Sequence, residues 1–182
     1  MSALKHWFER KFDSPFPVQL LPNLCARLRG TPARLEDVVR GVSQQILTKK
    51  DGPKWSAQEH AGHLLDIEPL WLTRVEDYVM ASDQLTATDL ANRKTDLANH
   101  NAQPVERILT DFRVAREALL KRIGELEPSL FVQAIPHPRL KTPMQLVDHL
   151  YFVAEHDDHH LARVWELVKV KSIDTCPGLS YP

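Results

Sequence analysis

Cysteine is scarce in this chain of 182 residues: Cys25 and Cys176 are its only two, far apart and without CxxC spacing. That argues against a disulfide framework or a thiolate-rich zinc site, and both are read as ordinary reduced thiols. Net charge is nearly absent, at -1 from 23 basic and 24 acidic side chains, which leaves no footing for a polyanion such as nucleic acid. No segment is apolar for long enough to span a bilayer, and residues 1–12 mix charge with aromatics rather than forming a signal-peptide core, so the chain is expected in the cytoplasm. No glycine-rich loop opens a helix after a strand; Gly52-Pro53 and Pro177-Gly178 read as turns, and phosphate binding has no support. No serine-nucleophile motif is present and neither cysteine is placed beside a histidine by sequence, so no catalytic side chain is assigned.

What the chain does have is helical periodicity. Period-2 alternation is nearly missing, whereas apolar residues recur at spacings of three and four over long windows. With 43% hydrophobic and 26% charged residues, this predicts a soluble all-α chain of one domain, residues 1–182 with a core of about 18–170. The first helical stretch covers about Val18–Arg29, ended by Gly30. A second covers Pro32–Thr48 with Thr31 as N-cap, and the two read equally as one broken helix. A long helix follows from Ser56 to about Ser82, with Ser56 and Glu59 forming a capping box. Residues 83–103 read as a long connection, and such loops are often functional. A helix from Pro104 to about Leu126 leads to an irregular crossing over Glu127–Lys141. The last helix is expected over Pro143 to about Val170, from a Thr142-x-x-Gln145 box with proline at its first position; the tail after it reads as loop. Four long helices with long crossover connections make a four-helix bundle, an architecture that builds metal sites from facing helices.

The histidines sharpen this. In the last helix His156 and His160 stand four apart, so their rings are neighbours on one face and can converge on one ion. On a helical wheel the apolar stripe is set by Leu146, Leu150, Val153, Leu161, Val164 and Val168; His160 lies about 40° and His156 about 80° from Leu146, against about 140° for His159. His149 shares that side but sits about 10.5 Å from His156 along the axis, too far for the same ion, and reads as a satisfied core imidazole or one that supports a ligand from behind. Asp157 falls within the stripe and needs a partner, one option being an imidazole N–H; Asp158 points outward. A third ligand must come from elsewhere, and the helix after Trp55 offers His60 and His63. Its stripe of Leu64, Trp71, Val75 and Val79 places His60 nearer the centre, so periodicity alone favours His60, but a wheel does not separate a core histidine from a ligand and the choice stays open. His100 and His137 read as structural, and Trp55, Trp71 and Trp165 as packing residues.

Trp55-Ser56, the Glu59-x-x-x-His63-Leu64-x-Asp66 stretch and Glu155-His156-Asp157-Asp158-His159-His160-Leu161 resemble the DinB-like superfamily, which includes YfiT-like metal hydrolases and bacillithiol- and mycothiol-dependent transferases. The resemblance implies a four-helix bundle whose divalent metal is held by one histidine of the second helix and two of the last. Carried onto this chain, the ligands are His63, His156 and His160, with His63 preferred to the more inward His60. Three imidazoles leave an open position on a tetrahedral ion, the arrangement of a catalytic site, and zinc or nickel suits them. The expected function is a metal-dependent enzyme acting on a small molecule, in the first place a thiol-dependent S-transferase using a low-molecular-weight thiol. The alternatives are a metal-dependent hydrolase and a metal- or ligand-binding module without turnover. The resemblance also suggests a homodimer.

Overall fold

The helices begin and end where local chemistry allows, with two informative exceptions. In a computed structural model that describes residues 4–175, six helices are present: α1 (Leu21–Val39), α2 (Gln44–Leu47), α3 (Ala57–Val79), α4 (Arg93–Leu97), α5 (Val105–Gly124) and α6 (Leu146–Thr175). The α3 start is the expected capping box: Ser56 Oγ accepts from the Glu59 N–H at 3.1 Å, and Glu59 accepts from the Ser56 N–H at 2.7 Å.

The first exception is α1. It is one helix that runs through Gly30 and Pro32, so Gly30 does not terminate it and Thr31 is not an N-cap. Proline at 32 removes the N–H that would bond the Leu28 carbonyl. Arg116 of α5 supplies the missing donor, Nη1 to Leu28 O at 3.1 Å.

The second exception is the last helix, which opens at Leu146 rather than Pro143. Residues 143–145 are a strand, β2 (Pro143–Gln145), paired antiparallel with β1 (Ala134–Pro136) in the register Ile135 to Met144. Thr142 therefore caps nothing; its carbonyl accepts from the His137 N–H inside this hairpin. The cap comes from Asp148, whose carboxylate accepts from the Gln145 N–H at 2.8 Å and from the Phe16 N–H at 2.7 Å. Downstream α6 continues to Thr175, beyond the expected end, while Cys176 lies outside the described residues.

Helix α1 packs on α5 and α6, and α3 packs on the same two. Consecutive helices α1 and α3 thus sit diagonally, as do α5 and α6. The two diagonal steps are made by residues 40–56 and 125–145, whereas the segment between α3 and α5 joins neighbours. This is the four-helix bundle with long crossovers read from the sequence, although 83–103 is not one of the crossings. Among the described residues no helix is long and apolar enough to cross a membrane.

The core is divided by a polar layer. One apolar cluster holds Leu28, Trp71, Leu119 and Val153; a second holds Leu35, Leu64, Phe112 and Leu161. Between them on each helix comes a buried polar residue: Thr31, Glu68, Arg116 and Asp157. The Arg116 guanidinium uses all five N–H groups, two on Glu68, two on Asp157 and one on the Leu28 carbonyl, at 2.6–3.1 Å. Thr31 Oγ1 donates to Asp157 at 2.9 Å. Asp157 is therefore paired, as burial requires, but with an arginine and a hydroxyl rather than with an imidazole. Burial alone would lower the Arg116 pKa, yet Asp157 and Glu68 more than offset it and the pKa is raised. Asp158 is not simply solvated either, since Arg27 and Arg34 both bond it.

Removing the cation would leave two carboxylates buried without a partner. Arg116→Ala is expected to cost about 3–5 kcal/mol, read as a drop in the urea midpoint at unchanged slope. A loss below about 1 kcal/mol would mean that the layer is not held by this ion pair.

Candidate metal centre

Three buried imidazoles meet at the interface of α3 and α6. His63, His156 and His160 each offer a ring nitrogen, and these atoms all lie within 4.8 Å of one another. His63 Nε2 and His156 Nε2 are 3.4 Å apart. Two nitrogens bound at about 2.0–2.1 Å to one tetrahedral ion are separated by about 3.3–3.4 Å, so the spacing suits a shared cation. The wheel misjudged α3: His63 is 4% exposed and lies in the cluster, whereas the more central His60 is only partly buried. Helix α4 covers His63 from outside the four-helix frame, and a wheel does not register such cover.

Each ring is held from behind. His63 Nδ1 is 3.0 Å from Thr95 Oγ1. The single hydroxyl proton of Thr95 goes to Asp66, so Thr95 accepts from His63 Nδ1–H and leaves the Nε2 lone pair free for the cluster. Asp66 also accepts from His100 Nε2 at 2.8 Å, and its pKa is lowered because His100, Thr95 and Lys94 outweigh the effect of burial. His160 Nδ1 meets His60 Nδ1 at 2.9 Å, which reserves His160 Nε2 for the centre. His156 is fixed by packing instead. Its ring edges stand against Trp7 and Trp71 at centroid distances of 5.1 and 5.4 Å, and its buried Nδ1 has no partner among the described residues.

Several of these supports were not legible in the sequence. Thr95 lies in the 83–103 connection, where no periodicity marks it. Trp55 reads as a packing residue but leans on His63 and His60 at the site, and Trp165, also read as packing, is substantially exposed. His159, assigned outward, is buried beneath Trp7 of the N-terminal segment. His149 is wholly buried but not satisfied, as neither ring nitrogen has a partner among the described residues. One signal was available: glycine at 62, inside a helix next to His63. A Cβ there would lie 2.3 Å from the His100 ring, so only glycine lets His100 reach Asp66.

The centre opens into a cavity of about 870 Å³. Burial, reinforced by neighbouring rings and cations, holds the imidazoles neutral: the pKa falls to about 3 at His60 and about 4 at His63 and His159, and well below the ordinary value at His156 and His160. Neutral imidazole is the form that donates a lone pair to a metal. Cys25 is a free thiol whose pKa is raised by burial, the reverse of what a nucleophile needs.

A four-helix bundle with diagonal crossovers and a three-histidine cluster between its second and last long helices defines a class of metal-centre bundles. The sequence profile of the DinB superfamily matches residues 27–164, and the chain belongs to that superfamily. Its structure is similar to that of YfiT from Bacillus subtilis, described as a probable metal-dependent hydrolase with an unusual four-helix bundle topology. The TM-score is 0.78 at 17% sequence identity, over 90% of this chain and 94% of that one, and at this identity the likeness shows the fold. Among curated proteins none matches the sequence significantly.

Two measurements check this geometry without added metal. Thr95→Val is expected to cost about 1–3 kcal/mol by leaving His63 Nδ1 unpaired, with Thr95→Ser close to wild type; equal stability of all three would remove the hydroxyl from the chain of contacts. Unfolded histidines titrate near pH 6.5 and the folded values are lower, so the stability carried by the neutral rings is complete above about 6.5. It is lost as the pH falls towards the folded values of about 4 and 3. The thermal midpoint of the metal-free protein should therefore decline through this window, and a flat profile would contradict the buried neutral rings.

Proposed function

We propose that this protein is a divalent-metal-dependent enzyme acting on a small molecule, with His63, His156 and His160 as ligands and a low-molecular-weight thiol as one reactant. The observation that carries this reading is the convergence of three neutral, buried imidazoles on one point at the wall of a large cavity. A divalent ion such as zinc or nickel, when held there, supplies Lewis acidity that lowers the pKa of a thiol or water reaching it. His63 and His160 present Nε2 because Thr95 and His60 occupy their Nδ1 atoms. His60, neutral down to about pH 3, serves as an acceptor for His160 rather than as a competing cation. Trp7 and Trp71 pack edge to face with the His156 ring and fix its orientation.

Most single-ligand sites in proteins occupy about 300–1,000 Å³, so a cavity near the top of that range has room for a thiol beside its acceptor. Hydrolysis is the second reading, favoured by the structural likeness to YfiT and its described activity. In either case the chain contributes positioning of the ligands and of what reaches them.

Metal analysis and competition with a chelator test the centre first. One equivalent of zinc or nickel per chain is expected, with His156→Ala and His160→Ala losing it and His60→Ala weakening it by about 10–100-fold. Wild-type protein that retains no ion after supplementation would overturn the assignment. Incubation with an electrophilic dye and a panel of thiols then tests transfer, which should require the ion and fail in His160→Ala. Turnover of esters or amides without thiol would select hydrolysis instead, and an ion held without any turnover would leave a binding module.

A further inference from the structure

The wall of the cavity formed by α3 and the β1–β2 hairpin carries cationic groups that nothing in the proposed metal chemistry uses. Arg74 of α3 is 1% exposed, and Arg139 stands at the tip of the hairpin; both line the cavity. Other cations along the lining face carboxylates: Lys50 meets Glu59, Lys54 meets Asp51 and Arg163 meets Glu166. No carboxylate is paired with Arg74 or Arg139 among the described residues, and the Nη2 atom of each is buried without any partner. A buried guanidinium normally requires an ion pair, so this arrangement is costly as it stands.

The remaining polar groups at this wall point the same way. His137 Nδ1 faces the backbone N–H groups of Arg139 and Leu140, each at 3.2 Å, and so acts as an acceptor. Its proton therefore sits on Nε2, the atom 3.3 Å from Arg74 Nη1. Two donors face one another there with no acceptor between them. Trp71, on the same wall, holds an indole N–H that also lacks a partner among the described residues, and Arg74 lies 5.6 Å from its ring. Burial lowers the Arg74 pKa to about 10, with Tyr78 and Asp77 opposing the shift and Arg139 adding to it.

We infer that Arg74, Arg139 and His137 form an oxyanion-binding corner in the cavity of the three-histidine centre, and that the small molecule bound there carries a carboxylate, sulfonate or phosphate group. The planar guanidinium fork suits two oxygens of such a group, and the His137 N–H takes another lone pair. As a statement about the substrate this rests on the proposed enzyme, but the anion site itself does not require the metal.

The test uses metal-free protein titrated calorimetrically with sulfate, and separately with acetate and inorganic phosphate. At least one of these anions is expected to bind saturably, with a loss of tenfold or more in Arg139→Gln, whose partly exposed side chain can be replaced without unfolding the core. Arg74→Gln should show the same loss; if it fails to fold, Arg139→Gln and His137→Phe carry the test. His160→Ala should bind the anion as wild type does while losing zinc. The arginine variants should keep their zinc stoichiometry, so a failed metal centre and a failed anion corner give different patterns. Unchanged affinity in Arg139→Gln, or no saturable binding of any of the three anions, would overturn the inference.

Discussion

The Arg116 guanidinium joins every long helix of the bundle at one level. It rises from α5, pairs with Glu68 of α3 and Asp157 of α6, and bonds a carbonyl of α1 that Pro32 leaves open. Apolar packing alone specifies register less sharply, because a core tolerates repacking as long as its volume and pattern are kept. A guanidinium with all five donors engaged fits one register. Asp157 directly follows His156 in α6, and Glu68 lies five residues beyond His63 in α3, so fixing the pair sets where the rings meet. The stabilising value of such a buried pair over a well-packed apolar layer is small. Its contribution here is to positional definition.

Outside that layer the site is built in shells of decreasing regularity. The three central rings come from two long helices. Their supports come from a short helix, a 3-10 turn and an N-terminal segment: Thr95, His100 and Trp7. Gly62 ties the two levels together, since its missing side chain is the space that His100 fills. Helix propensity is sacrificed at that position by about 1 kcal/mol, which is the ordinary cost of a glycine within a helix.

This division explains what could be read in advance. Periodicity and capping residues gave the helical class, the Ser56 start and the inward pair His156 and His160, because these depend on residues close in sequence. His63 against His60 depended on what lies above α3: the wheel set His60 nearer the apolar stripe, whereas His63 is the one in the buried cluster. The Thr142-x-x-Gln145 pattern had the form of a cap, yet pairing of Ile135 with Met144 drew those residues into a strand. Gly30, Thr31 and Pro32 look like a helix break, yet α1 runs through them, and a donor from α5 meets the carbonyl that the proline leaves open. In each case a partner distant in sequence decided between two locally sound readings.

The imidazole cluster stands on helices locked at one level, whereas part of the cavity facing it is lined by loop residues, at 49–54 before α3 and at 137 and 139 in the hairpin loop. Loops and hairpins change sequence at little cost to a bundle core. Exchange of residues at 49–54 or 137–139 therefore redraws what can approach the centre while the centre stays in place, so one bundle can be refitted to different reactants without rebuilding its reactive point.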